Sequence, residues 1–177
     1  MRKKILLLAL LLPTLIYADL KGPELVDEVL LDHKEWIYKR YGFTPLYKGL
    51  GAPCGHVTEI EVCFRRAFDL SIPEAREICV ICMEDLLTRI NGNIQLRPFL
   101  QNYPFKFENL QYTLAFDRQK SEQNTPLIQT SVYSVFSCGG KIYYDMNDDD
   151  GNDLNKIISE DFNKARQMVI ESRSQGF

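Results

Sequence analysis

Cys79 and Cys82 form a Cys-x-x-Cys inside REICVICMEDLLTRI, residues 76 to 90. The spacing fits a redox pair, half of a metal site, or two small apolar residues of a buried helix. A redox pair normally places its first Cys at a helix N-terminus, where the positive end of the helix dipole lowers the thiol pKa. Here Ser71, Pro73 and Glu74 form a helix-start signal, with Ser and Glu three apart as in a capping box and Pro in the first turn. Cys79 therefore falls about two turns inside the helix. Its neighbours, ICVICM, are apolar almost all round, as in a helix buried on more than one side. Burial raises a thiol pKa and makes the group inert. Core packing is the expected role of both cysteines.

The metal alternative draws on PCGH, which offers Cys54 and His56. Cys54, His56, Cys79 and Cys82 together match the ligand types of a tetrahedral zinc site. A zinc-binding Cys-x-x-Cys usually sits in a turn, whereas this one is expected mid-helix. Cys54 and His56 are alternatively a thiol nucleophile and its base, which needs a third, orienting group. No such group is identifiable from spacing, and a loop Cys beside a loop His without chemistry is the plainer reading.

The acidic run YYDMNDDDGNDL looks like a calcium loop. Fixing Gly151 at the sixth position puts Met146 first and Ile157 twelfth, and neither supplies the required carboxylate. A turn in which Asn152 or Asp153 caps a following helix is expected instead. His33 lies on an apolar helical stripe, so a satisfied core histidine is expected. The pairs Glu59 with Glu61 and Glu84 with Asp85 fit solvated faces. The chain has no nucleophile elbow, phosphate-cradling Gly loop or His-Glu-x-x-His. No cofactor is implied.

The elements that position these residues follow from periodicity. Leu25, Val29, Leu30, His33, Trp36 and Ile37 recur at helical spacing from about Glu24 to Tyr41, with Pro23 as a start and Gly42 as a stop. GFTPLYKGLGAPCGH is rich in Gly and Pro and reads as an irregular loop. Val57 to Phe68 alternates as a strand. The capped helix runs from Ser71 to about Ile90 and ends at Asn91-Gly92. Leu110 to Phe116, Ile128 to Cys138 and Lys141 to Met146 read as strands, the last two joined by Gly139-Gly140 in a tight hairpin. Leu154, Ile157, Ile158, Phe162, Ala165, Met168 and Val169 mark a closing amphipathic helix. The expected fold is α+β: a single domain with a mainly antiparallel sheet of about four strands and three helices covering one face. The second face reads as polar, with Tyr133, Tyr143 and Val135 partly exposed on it. An apolar patch there would be a partner site.

The N-terminus, MRKKILLLALLLPTLIYADL, has a positive start, an apolar run and small Ala18 at a cleavage position. This is the pattern of a secretory signal peptide over residues 1–18. The apolar run is short of the about 20 residues a transmembrane helix needs. Cutting after Ala18 leaves one domain over 19–177, a length that supports a sizeable core. It removes three positive residues and no acids, taking the formal charge from −3 to −6. An acidic chain without a basic cluster argues against nucleic-acid binding. No second apolar run is long enough to span a bilayer. Five cysteines are an odd number, so at least one stays free or pairs between molecules.

LRPFLQNYPF followed by ENLQYTLAF, and GKIYYD before a C-terminal helix, resembles small exported proteins of chlamydia-like intracellular bacteria over about Val57 to Val169. That family carries no assigned activity, so the resemblance implies export and no functional residue. The expectation is a periplasmic or secreted, non-enzymatic domain that binds a protein or other envelope partner. The alternative is a small thiol- or zinc-dependent enzyme using Cys54 and His56.

Overall fold

The computed structural model describes the backbone of residues 3–67, 70–117, 132–146 and 156–175, with side chains from residue 21 onward. The element order is α1 (Lys3–Tyr41), β1 (Thr44–Gly51), β2 (Glu59–Ala67), α2 (Ile72–Gly92), β3 (Leu110–Asp117), β4 (Val132–Cys138), β5 (Lys141–Met146), β6 (Lys156–Asp161) and α3 (Phe162–Ser174). The fold is α+β, and its strands make one sheet in the order β1-β2-β3-β4-β5-β6. Neighbours are antiparallel except β2 and β3, which run parallel across the α2 connection. A parallel pair needs such a crossover, because a short turn cannot return the chain to the same end.

Strand alternation decides which face the helices cover. Ile60, Val62 and Phe64 of β2, Leu110, Tyr112, Leu114 and Phe116 of β3, and Ile142 and Tyr144 of β5 are all buried. Against them pack Val26, Leu30, His33 and Ile37 of α1, the stripe Ala75, Cys79, Cys82, Met83, Leu86 and Ile90 of α2, and Phe162, Ala165 and Val169 of α3. The start of α2 carries its predicted cap: the Glu74 carboxylate accepts from the Ser71 backbone N–H (2.9 Å) and hydroxyl (2.6 Å). Its end is tied by Asn93, whose side-chain oxygen accepts from the N–H groups of Gln95 and Leu96. Gly139 and Gly140 both take positive φ in the β4–β5 turn, as expected of a tight hairpin.

Two segments depart from expectation and raise the strand number from about four to six. The Gly- and Pro-rich stretch after α1 contains β1, paired in register with β2 from Thr44↔Arg65 to Gly51↔Glu59. Here glycine serves close approach. A Cβ on Gly49 would lie 2.7 Å from the Glu61 carboxylate, and one on Gly51 2.8 Å from the Thr58 hydroxyl. The closing helix also starts later than its apolar spacing suggests. Lys156–Asp161 is β6, and Asp161 caps α3 by accepting from the Lys164 N–H at 3.0 Å. Asn152 and Asp153, the expected caps, lie outside the described residues. Ile157 and Ile158 fit either period, and pairing with β5 decides the matter.

The helix α1 begins at Lys3 and passes through Pro23 instead of starting there. Within β2 the ladder starts at Glu59, while Val57 makes an isolated bridge to Leu100. Residues 128–131 of the strand expected over Ile128 to Cys138, and Phe68, lie outside the described residues. A bulge between Val132 and Ser134 shifts the alternation of β4. Val132 and Val135 therefore both reach the core, and Val135 is fully buried rather than on the second face.

Candidate functional site

Two regions carry the residues capable of chemistry or recognition. The first lies beneath the sheet, where α1, α2 and β3 meet. His33 Nδ1 is 2.7 Å from the Asp85 carboxylate, and its Nε2 is 2.8 Å from the Tyr112 hydroxyl. Arg89 holds the same carboxylate through Nε (2.6 Å) and Nη2 (3.2 Å). The Tyr112 hydroxyl also meets the Cys82 thiol. Trp36 stacks on the imidazole at 5.7 Å, and Phe64 meets it edge-on.

Donor counting fixes the protons. Burial works to raise the Asp85 pKa, but the hydrogen bonds from His33 and Arg89 outweigh it and hold the carboxyl below its ordinary range. An ionised carboxylate only accepts, so His33 donates through Nδ1–H. Burial pushes His33 down, against the pull of Asp85, so the imidazole is neutral and its Nε2 accepts from Tyr112. The Tyr112 oxygen then accepts from the Cys82 S–H. Burial raises Tyr112 and Cys82 well above their usual values and pushes Cys79 to about 12. Cys79 directs its thiol at the Met83 sulfur, 3.9 Å away. The polar atoms of His33, Asp85, Tyr112 and Cys82 thus have partners in this network, and His33, Tyr112 and Cys82 are 0% exposed. No substrate reaches them from solvent. The network is built to hold α1 and α2 against β3.

The second region is the sheet face opposite the helices. One row across it reads Tyr47, Cys63, Thr113, Phe136, Tyr143 and Ser159. The Phe136 and Tyr143 rings stack at 5.0 Å with an 8° interplanar angle. Tyr47 donates its hydroxyl to Glu61 at 3.0 Å, and Gln111 donates to Glu59 at 2.6 Å. Cys63 is nearly buried within this row, and desolvation raises its pKa. Tyr133 (47%) on β4 and Ile157 (57%) on β6 stand exposed near the stacked pair, and Tyr47 (51%) stands exposed on β1, three strands from Phe136. Tyr133 is the extra residue of the β4 bulge, which turns it outward. The polar second face therefore carries an aromatic patch, with Tyr143 on it as expected.

Cys54 and His56 lie in the irregular segment between β1 and β2, and both side chains are exposed. Cys54 has a φ of 53°, in the left-handed region that residues other than Gly seldom adopt. The His56 ring is directed at the Cys54 carbonyl oxygen (Nδ1···O 3.2 Å), and no contact joins the ring to the thiol. Among the described residues, no group of three or more His, Cys, Asp or Glu side chains is placed to hold a metal ion. Cys54 and His56 face solvent while Cys79 and Cys82 are buried, so the four are not gathered. A groove of ≈ 1030 Å³ runs between α2, α3 and the 104–107 segment. It is floored by the stacked Phe107 and Phe162 rings and bridged by the Arg166–Glu84 ion pair.

Periodicity placed His33 in the core, but Asp85 is its ligand rather than a residue of a solvated face. Glu84 keeps to the surface and pairs with Arg166 of α3. The Asp85–Arg89 pair at i,i+4 was visible as helical spacing. Tyr112, 79 residues from His33, gave no local signal. Among residues with described side chains, no helix is long and apolar enough to cross a membrane. No family model, curated protein or solved structure matches this chain.

Proposed function

We propose that this chain is an exported bacterial protein, periplasmic or secreted, that binds a protein partner of the envelope instead of catalysing a reaction. The open sheet face is its binding surface. One observation carries the reading: the face left uncovered by the helices presents the stacked Phe136–Tyr143 pair, with Tyr133 exposed on the same strand as Phe136 and Ile157 exposed on the next strand, β6. Aromatic anchors in a polar surround are the composition of interface centres. A six-stranded sheet backed by a continuous core also holds them rigidly, which reduces the entropy cost of binding. The export half of the reading rests on the signal pattern of residues 1–18.

A photoreactive amino acid at Tyr133, with Glu35 on the outer side of α1 as the control position, tests this in intact cells. The expected result is one discrete adduct from position 133, none from position 35, and recovery of that adduct from the exported fraction. Equal adducts from both positions, or none from either, would count against the surface. A turnover abolished by Cys54→Ala would instead establish the thiol alternative.

A further inference from the structure

We propose that β6 is a self-pairing edge, which joins two copies of this chain through antiparallel β6 strands about a twofold axis at Ile158. Among the described residues neither outer edge of the sheet is paired, yet the two edges are built differently. The outer strand β1 has Pro45, a register shift between Pro45 and Tyr47, and Lys48 drawn onto Asp27 of α1. Proline, bulges and lysine are the devices that blunt a sheet edge. The outer strand β6 has no proline and no bulge, its one lysine, Lys156, stands at the first residue rather than within the strand, and it keeps regular register with β5 from Lys141↔Asp161 to Met146↔Lys156.

Ladder geometry shows which groups β6 offers. The Phe162 N–H donates to the Gly140 carbonyl at 3.1 Å, closing the ladder at its end. Hydrogen-bonded and non-bonded pairs alternate along an antiparallel ladder. The even-numbered residues of β6 therefore bond β5, and Ile157, Ser159 and Asp161 turn their N–H and C=O outward. A twofold that joins antiparallel edges keeps helices on one side of the joined sheet. Facing residues must then share a face, so their numbers have the same parity.

The sequence KIISED selects among the permitted registers. With Ile158 facing Ile158 of the second copy, Ile157 faces Ser159 of that copy, and the two exchange both backbone bonds. Lys156 then faces Glu160 of the second copy, twice by symmetry. Glu160 already accepts from Arg76 at 2.7 Å and from Tyr144, so the lysine would join an existing cluster. Parallel pairing would instead set lysine beside lysine and acid beside acid. Charge complementarity thus points to a second copy in antiparallel orientation. This inference is independent of the partner proposed for the open face, which would extend unbroken across the two sheets.

Sedimentation of the folded mature protein, with cysteine trapping in a Cys54→Ser, Cys138→Ser background, tests the proposal. Facing residues of a non-bonded pair lie about 4.5 Å apart at Cα, within disulfide reach. Ile158→Cys is therefore expected to give a covalent dimer on mild oxidation. Ser159→Cys is expected to stay monomeric in the gel, since two copies of that residue lie about 8 Å apart in this register. Lys156→Glu, at an exposed position, is expected to weaken dimerisation about tenfold without changing the fold. A chain that sediments as a monomer up to about 500 μM overturns the proposal. So does a dimer that Ile158→Cys does not trap and Lys156→Glu does not weaken.

Discussion

The two faces of the sheet divide the molecule's residues by what they can do. The covered face holds the residues that look catalytic: a carboxylate, an imidazole, a phenol and a thiol in one hydrogen-bonded chain from Asp85 to Cys82. The open face holds a stacked aromatic pair, two hydrogen-bonded carboxylates and a shielded thiol. Burial accounts for the contrast. Beneath the helices it raises the pKa values of Tyr112, Cys82 and Cys79 strongly and seals His33, Tyr112 and Cys82 from substrate, while Asp85 stays half-buried. On the open face the rings are reachable. Perturbed pKa values mark function only where a cleft brings solvent to them. Here they mark a polar network satisfied in the core, where a missing partner would be expensive.

The comparison breaks most clearly if the covered network is cut. His33→Ala leaves Asp85 and Tyr112 without their shared partner, and is expected to lower unfolding free energy by about 3 kcal/mol. Tyr112→Phe removes only the hydroxyl that serves His33 and Cys82, at a cost of about 1.5 kcal/mol. Urea denaturation of each variant measures both; losses under about 0.5 kcal/mol would contradict the network's structural role.

Acid attacks the same network with a defined sign. The folded pKa of His33 lies below its ordinary 6.5, so the unfolded chain binds the extra proton first. Its contribution is complete above pH 6.5 and is lost as pH falls below that value. Asp85, also lowered, keeps its contribution above its ordinary 3.8 and loses it only as pH drops through the folded value. Stability of the native chain should therefore decline in two stages on acidification. In His33→Gln the upper stage should vanish and the lower one remain.

Thiol exposure gives a smaller and sharper contrast. Cys54 and Cys138 are exposed, whereas Cys63, Cys79 and Cys82 are buried. Alkylation of the folded protein should add two labels by intact mass, and alkylation in denaturant all five of the cysteines. Early labelling of Cys79 or Cys82 would mean that the α2 core opens readily. The smallest stability effect belongs to the open face. Tyr143→Ala loses one stacked ring contact and is expected to cost about 1 kcal/mol or less.

Local signals in the sequence covered the α2 cap at Ser71 and Glu74, the Gly139-Gly140 hairpin, and β5 from Lys141 to Met146, because each needs only neighbouring residues. The strand β1 was hidden because its glycines answer Glu61 and Thr58 across the ladder, contacts with no local trace. The strand β6 was hidden because Ile157 and Ile158 suit a helix as well as a strand, and the true α3 cap, Asp161, follows them. Helical spacing placed His33 in the core. Nothing local could join it to Tyr112, since that bond depends on how α1 settles onto β3. The aromatic patch was largely legible: alternation put Tyr133 and Tyr143 outward, but the β4 bulge that buries Val135 had no sequence mark.

The most direct measurement crosses the two faces in one experiment. Photo-crosslinking from position 133 is compared between the Phe136→Ala, Tyr143→Ala double variant and Tyr112→Phe, each with its unfolding free energy. Loss of the adduct in the double variant, at near-native stability, and its retention in the less stable Tyr112→Phe is the predicted result. An adduct that survives removal of both rings, or disappears with the buried hydroxyl alone, would contradict the assignment of binding to the open face.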